Sequence, residues 1–154
     1  MNAPPADRRL GTLLVALQFL LMAALAASGL EGLARDDLPV DAFVAAAIAT
    51  LLGVWALAAN RPGNFNIRPT PRAGGRLVQH GPYRWIRHPM YSAVMLAGLA
   101  AARLADAAPA WLALACLVAV LAVKAVIEER AMLGHHPDYE AYRRRTRRFV
   151  PWLI

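Results

Sequence analysis

The stretch at residues 81–91 holds the side chains of this sequence that are best suited to chemistry, and it reads GPYRWIRHPMY. Its positive or titratable groups are Arg84, Arg87 and His88, and they are interleaved with tyrosine, tryptophan and proline. Cationic and aromatic side chains in a rigid segment can bind the charged and planar parts of a cofactor. The same composition is also typical of an anchor at the headgroup level of a membrane. Composition alone leaves both interpretations open.

A second set of chemical groups is the EER at residues 128–130. Adjacent carboxylates beside an apolar helix are costly unless they are paired or hydrated. A solvated helix end would explain them, although acids at the C-terminus of a helix meet the unfavourable end of its dipole. That misfit favours a specific partner for the carboxylates, such as a cationic ligand or Arg87.

A third set lies in residues 137–148, where a short amphipathic helix is predicted. Tyr139 and Tyr142 are three residues apart, so a helix would place both on one face. Five arginines follow within residues 143–148. Taken alone, this pattern is typical of a helix on the membrane surface.

Long apolar segments must position these three sets. Hydrophobic residues make up 58% of the chain, whereas about 45–50% is usual for soluble proteins. Residues 11–30 carry no charge and have about the length that crosses a bilayer; further apolar segments lie at residues 42–60, 90–108 and 109–127. The sequence therefore predicts an all-α polytopic membrane protein with about four transmembrane helices in a single domain, residues 1–154.

Two polar segments connect and follow these helices, a loop at residues 61–89 and a tail at residues 128–154. Prolines and glycines exclude a long helix from the loop. Long loops without regular structure are usually functional or disordered. Because this loop also contains aromatic and apolar residues, we predict that it is ordered.

The distribution of charge predicts the topology. The turn between the first two helices is net acidic, whereas residues 61–89 contain six arginines and no acid, and the tail is also rich in arginine. The positive-inside rule therefore places the loop and both termini in the cytoplasm. The net charge of +7 is interpreted as a topology signal, so the expected partner is the lipid bilayer and not a nucleic acid.

The sequence also predicts where several individual side chains lie. Gln18 should face another helix rather than lipid, and Asp41 should cap the second helix. Pro89 should open the third helix, and the Lys124 side chain should reach the headgroups from the last turn of the fourth. Cys116 is the one cysteine, which excludes an intrachain disulfide, and we expect it to be buried packing material.

The three sets GPYRWIRHPMY, EERAML and YEAYRRRTRRFVPW, in that order and spacing, closely resemble the isoprenylcysteine carboxyl methyltransferase family and its bacterial relatives. The phospholipid N-methyltransferases are similar too, and the loop FNIRPTPRAGGRLV resembles the family's approach to the first motif. The resemblance covers roughly residues 60–152. It implies an integral membrane methyltransferase of a bacterial inner membrane that uses S-adenosylmethionine without a Rossmann domain. The sequence accordingly lacks a strand–GxGxxG–helix pattern.

The resemblance also implies which residues line the cofactor pocket. A carboxylate can hold the amino group or ribose hydroxyls of the cofactor, an arginine its carboxylate, and aromatic faces its adenine or sulfonium. By similarity, the cofactor-binding residues are Gly81, Tyr83, Arg87, His88, Pro89, Tyr91, Glu128, Glu129, Arg130, Tyr139, Tyr142 and Arg145.

Methyl transfer from a sulfonium is an in-line displacement, which alignment and exclusion of water accelerate. An amine acceptor must lose a proton, and His88 or Glu129 is the predicted catalytic base. A carboxylate or thiolate acceptor needs little or no base. Because the chain is shorter than the eukaryotic members, a small amphiphilic or lipid-like acceptor that enters from the bilayer is favoured over a prenylated protein.

Two alternatives remain open at this stage. Membrane sterol reductases are distant kin that bind a nicotinamide cofactor near similar motifs, so an NADPH-dependent reductase is one alternative. A non-catalytic membrane protein, with arginines that serve only topology, is the other. No metal site is expected, because His135 and His136 are adjacent and adjacent histidines rarely both ligate one ion. The sequence leaves the oligomeric state undetermined.

Overall fold

The computed structural model describes residues 5–35, 37–60 and 77–152 of the chain. Within these ranges the chain forms helices and no β-strand, which confirms the all-α prediction. The helices in chain order are α1 (Pro5–Gly32), α2 (Val40–Ala59), α3 (Pro89–Ala105), α4 (Ala108–His135) and α5 (Tyr139–Arg145), with a 3-10 turn at Gly81–Arg84 before α3.

Three of the described helices, α1, α2 and α4, are long and apolar enough to cross a membrane. The apolar α3 has 17 residues, which is the lower end of the range for a span. At 1.5 Å per residue, α3 is about 25 Å long and the 28-residue α4 about 42 Å. Many large apolar side chains on these helices are exposed, as expected for surfaces that face lipid. The chain is an integral, polytopic membrane protein.

The centre of the helix bundle is α3, which packs against α1, α2 and α4. Its glycine and alanine residues allow the neighbouring helices to come close. Gly98 lies against the side chains of Leu25 and Leu117, where an added Cβ would be 3.3 Å from each. Leu25 and Leu117 belong to the buried apolar core between α1, α3 and α4. The middle of α3 therefore packs closely against both α1 and α4.

The last turns of α1 and α3 touch through their backbones. A Cβ added at Gly32 would lie 2.1 Å from the carbonyl oxygen of Leu104, so only glycine permits this approach. Beside it, Arg35 donates a hydrogen bond to the carbonyl oxygen of Ala105 at 3.1 Å. This end of α3 is thus fastened to the turn that follows α1.

The same end carries an ion pair between α2 and α3. Arg103 donates to the Asp41 carboxylate from Nε at 2.8 Å and from Nη2 at 3.2 Å. The prediction that Asp41 caps α2 is therefore wrong, because Pro39 occupies the N-cap position and Asp41 lies inside the first turn. We call the Arg103–Asp41 pair, together with the contact of Gly32 and Leu104, the far clasp.

Two predictions about residues within α4 are wrong. Lys124 does not reach the headgroups, because α4 continues for about three more turns to His135. Its side chain is buried and donates a hydrogen bond to Oε1 of Gln18 on α1, which confirms that Gln18 faces another helix. Cys116 is exposed rather than buried. An unbroken apolar run contains no periodicity that would separate its core face from its lipid face.

The described part of the predicted loop, residues 77–88, leads into the first turn of α3. Gly81 has a φ of +60°, and a Cβ there would lie 2.8 Å from the Ala59 side chain. Glycine is therefore required both by the backbone conformation and by the contact with α2. Residues 61–76, with most of the FNIRPTPRAGGRLV segment, lie outside the described residues, so their predicted order stays a prediction.

Candidate functional site

The chain beyond α5 runs beside the segment that precedes α3. The amide of Arg87 donates to the carbonyl of Arg147 at 2.8 Å, and the amide of His88 donates to Arg148 at 3.0 Å. In return, the amide of Arg147 donates to the carbonyl of Trp85 at 2.9 Å. Side chains alternate along such an extended segment. Arg147 is accordingly exposed, whereas the Arg148 side chain is partly buried.

Glu129, on α4, is a buried carboxylate at the meeting point of three segments. Arg87 donates from Nε to Glu129 Oε1 at 2.9 Å. Arg148 donates from Nε to Oε1 at 3.0 Å and from Nη2 to Oε2 at 2.9 Å. Nε2 of His88 lies 3.2 Å from Oε1. Because an ion in a buried site needs such partners, Glu129 joins α4 to the segment before α3 and to the segment after α5.

His88 lies between two carboxylates. Its Nδ1 is 3.3 Å from Glu128 Oε2, and its Nε2 is 3.2 Å from Glu129 Oε1. A histidine donates from both nitrogens only as the imidazolium. Burial would lower the pKa of His88, but hydrogen bonds and charge from the two carboxylates raise it further, so the pKa lies above its ordinary value. The geometry therefore favours a positively charged His88.

Aromatic rings cover this histidine. Tyr91, in the first turn of α3, has its ring parallel to the imidazole, with centroids 5.3 Å apart and planes within 2°. The Phe149 ring is tilted against His88 at 5.9 Å. The Tyr91 hydroxyl donates to Glu128 Oε1 at 2.9 Å. Glu128 is therefore held by Tyr91 and His88 at the edge of an aromatic surface.

Arg87 also fixes the end of α5. Its Nη1 donates to the carbonyl oxygen of Thr146 at 2.5 Å and to that of Arg143 at 3.2 Å. Guanidinium groups commonly satisfy the last carbonyls of a helix in this way. The Thr146 hydroxyl donates to the carbonyl of Tyr142 at 2.7 Å. Arg87 thus bridges the carboxylate of α4 and the C-terminal end of α5.

Tyr139 and Tyr142 are buried and share one face of α5, with ring centroids 5.8 Å apart. The Tyr142 hydroxyl donates to the carbonyl of Tyr83 in the 3-10 turn at 2.8 Å. Burial raises the pKa of Tyr83 to about 12, so its phenol is neutral at physiological pH. The Arg145 guanidinium lies 5.8 Å from the centroid of the Tyr142 ring. Aromatic groups therefore connect α5 to the turn before α3.

The structure brings most of the predicted residues together. Those joined by hydrogen bonds or ring contacts are Tyr83, Arg87, His88, Tyr91, Glu128, Glu129, Tyr139, Tyr142 and Arg145. Pro89 is buried as the first residue of α3, and Gly81 contacts α2. Arg130 is exposed, because it lies about 100° around the helix from Glu129. That these residues bind a cofactor stays a prediction.

Three further residues complete the network and were not predicted. Arg148 is the second guanidinium on Glu129, and Thr146 accepts from Arg87. Ser92 donates to the carbonyl of Phe149 at 2.7 Å, which ties α3 to the tail. Arg147 and Arg148 are adjacent, so their side chains point to opposite sides if the segment is extended. The sequence does not show that the segment is extended, so it could not indicate which arginine faces inward.

A family model described as the isoprenylcysteine carboxyl methyltransferase (ICMT) family matches residues 39–134, which is more than half of the chain. The match includes the segment at residues 81–91 and both carboxylates on α4, and it ends before α5. Comparison with curated proteins and with solved structures gave no match.

Proposed function

We infer the function of this chain from its family and from the contacts around Glu129. The chain belongs to the isoprenylcysteine carboxyl methyltransferase family, whose members are integral membrane methyltransferases that generally use S-adenosylmethionine. The enzyme transfers the methyl group of S-adenosylmethionine to a small amphiphilic or lipid-like acceptor at the cytoplasmic face of the membrane. The observation that carries the proposal is the buried Glu129 carboxylate, where segments from three parts of the chain meet.

The side chains around Glu129 fit the chemical groups of this cofactor. When bound, S-adenosylmethionine supplies an electrophilic methyl group on a sulfonium, and it carries an ammonium, a carboxylate and an adenine. Glu128 is the more accessible of the two carboxylates, with 24% of its side chain exposed against 5% for Glu129. We assign Glu128 to the ammonium or the ribose hydroxyls, and Arg148 to the carboxylate. The rings of Tyr91 and Phe149 offer faces for the cationic or planar parts.

Glu129 has a different task in this proposal. It accepts hydrogen bonds from both arginines and lies within hydrogen-bond distance of the imidazole. It therefore sets the positions of Arg87, His88 and Arg148 before any ligand arrives. Such preorganisation reduces the cost of alignment in the reaction.

The contacts of His88 and Glu129 argue against the prediction that either residue is a catalytic base. Both nitrogens of His88 face carboxylates, and Glu129 already accepts from two guanidinium groups. Neither residue is set up to take a proton from an amine. We therefore favour an acceptor that is already ionised, a carboxylate or a thiolate. In this proposal His88 and Glu129 position the neighbouring side chains and contribute charge to the site.

The distribution of arginine supports a cytoplasmic site. The last turn of α5, beside the Glu129 cluster, contains Arg143, Arg144 and Arg145. The opposite end of the bundle carries the net acidic turn between α1 and α2. By the positive-inside rule, both termini and the site are placed in the cytoplasm, and the membrane is proposed to be a bacterial inner membrane. The chain acts as one domain, since Glu129 connects its segments.

Calorimetric titration of the detergent-purified protein with S-adenosylhomocysteine, and in parallel with NADPH, tests this proposal. Saturable binding of S-adenosylhomocysteine alone is expected. Glu128→Gln should weaken that binding, whereas Glu140→Gln should not, because Glu140 pairs only with arginines of its own helix among the described residues. Binding of NADPH alone would mean a reductase. Binding of neither by folded protein would favour a non-catalytic role.

A further inference from the structure

A polar contact lies inside the membrane-spanning part of the bundle, where ionisable groups are costly. Lys124 of α4 is only 1% exposed. Its Nζ donates to Oε1 of Gln18 on α1 and lies 5.2 Å from the centroid of the Tyr91 ring on α3. Residues from three helices therefore converge on one buried ammonium group.

This contact is continuous with the candidate site. Lys124 precedes Glu128 by four residues, so both lie on one face of α4 and are about 6 Å apart along the helix. Tyr91 connects them in space, because its ring contacts the ammonium and its hydroxyl donates to Glu128 Oε1 at 2.9 Å. The chain of contacts runs from Gln18 through Lys124 and Tyr91 to Glu128.

Helix packing alone does not call for a cation at this place. Hydrogen bonds between neutral side chains can join membrane helices, and a methionine would fill the volume of the lysine stem without burying a charge. A buried ammonium instead attracts the face of a tyrosine ring, and the ring of Tyr91 in the candidate site lies 5.2 Å from Nζ of Lys124.

We propose that Gln18 and Lys124 are positioning residues of the methyltransferase site. Gln18 fixes the ammonium of Lys124 against the Tyr91 ring, and the ring orientation directs the Tyr91 hydroxyl to Glu128. The carboxylate of Glu128 is thereby held toward the cofactor, a step that rests on the proposed function. In this view α1, which lies outside the residues matched by the family model, is part of the functional unit.

Fluorine NMR of protein labelled with 3-fluorotyrosine tests the contact without any ligand. The chain has four tyrosines, and Tyr91→Phe identifies the Tyr91 resonance. In Lys124→Met this resonance should shift while the other tyrosines stay in place, and Gln18→Leu should shift it in the same direction. Arg103→Met, which removes a cation from the far clasp, is the control and should leave it unchanged. An unmoved Tyr91 resonance in folded Lys124→Met overturns the proposal.

Affinity for S-adenosylhomocysteine tests the consequence for the site. Lys124→Met should weaken binding roughly tenfold, the size expected when a charged hydrogen bond is lost, and Lys124→Arg should recover part of it because the cation is retained. Equal losses in both variants, in step with equal losses of melting temperature, would indicate packing and overturn the proposal. If Lys124→Met does not fold, Gln18→Leu carries the same test.

The two measurements separate this proposal from the one on which it rests. Absence of S-adenosylhomocysteine binding in the wild-type protein defeats the cofactor assignment, while the fluorine spectra still decide whether Lys124 orients Tyr91. A shifted Tyr91 resonance with wild-type affinity for S-adenosylhomocysteine overturns the positioning role and leaves the cofactor assignment intact.

Discussion

The two ends of α3 are both held by arginine and carboxylate, but they are built differently. At the first turn, the Glu129 side chain is 5% exposed and pairs with Arg87 and Arg148. At the far clasp, the side chains of Arg103 and Asp41 are 36% and 61% exposed and form a simple pair. Exposed pairs contribute little to stability, whereas a buried ion that loses its partner is costly. The far clasp therefore depends mainly on backbone contact.

This difference shows what separates a candidate site from a structural ion pair in a chain with many arginines. Net charge does not separate them, because both ends contain cations. The two ends differ in burial and in how many segments of the chain meet there. In the Glu129 cluster, Arg87 and Arg148 lie 42 and 19 residues from Glu129 in the chain. Four substitutions test this difference between the two ends of α3, beginning with the one predicted to be most damaging.

Glu129→Ala should have the largest effect, because it leaves two guanidinium groups and an imidazolium without their shared partner. We expect a loss of about 3–5 kcal/mol in the free energy of unfolding, together with loss of S-adenosylhomocysteine binding. Denaturation in detergent and calorimetry measure these quantities. Glu140→Ala is the matched control, since its side chain is 43% exposed. Equal losses in the two variants would erase the distinction between the buried and exposed pairs.

Gly32→Ala tests whether the far clasp is held by backbone contact. A Cβ at this position would lie 2.1 Å from the Leu104 carbonyl oxygen, so α1 and α3 must move apart, at a cost of about 1–3 kcal/mol. The melting temperature should fall while the affinity for S-adenosylhomocysteine stays the same. Gly134→Ala, where no atom lies within 4 Å of the added Cβ, should not destabilise the protein. A wild-type melting temperature for Gly32→Ala would refute the tight contact.

The charge on His88 should make stability depend on pH. Because Glu128 and Glu129 raise the pKa of His88 above its ordinary value of 6.5, its contribution is complete below pH 6.5. It is lost as the pH rises through the folded-state pKa, by at most about 1.4 kcal/mol per pH unit for one proton. Unfolding measured across this range should show the decline in wild type and not in His88→Gln. A flat wild-type profile would argue for a neutral His88.

Arg103→Met should have the smallest effect. The Arg103–Asp41 pair is exposed, so its removal should leave S-adenosylhomocysteine affinity unchanged and the melting temperature close to that of wild type. Calorimetry and thermal unfolding in detergent check this. A clear loss of cofactor affinity would mean that the two ends of α3 are coupled, contrary to the comparison.

The fold was accessible from the sequence because a membrane span must satisfy its own backbone hydrogen bonds and reach across the hydrocarbon core. The lengths of the apolar segments were enough to predict the order of the helices. The orientation of single residues within α4 could not be predicted from the sequence. Lys124 faces Gln18, and Cys116 is exposed, and nothing in a run of apolar residues distinguishes those faces.

The sequence was sufficient to predict only part of the candidate site. The motif at residues 81–91 and the carboxylates of α4 carry the family resemblance, and the family match covers both. Arg148 was missed because it ends a run of five similar arginines, and its inward position results from backbone pairing with the segment before α3. The charge of His88 likewise depends on a carboxylate 41 residues later in the chain, which no local pattern reveals.

The pairing of the tail with residues 85–88 has a consequence for biogenesis. Residues 146–149, which supply Arg148 and the backbone partners of Arg87, His88 and Ser92, follow all of the membrane helices that the structure describes. Translation therefore produces Arg148 and these backbone partners after the helices α1 to α4. The Glu129 cluster can therefore assemble only after this segment has been translated.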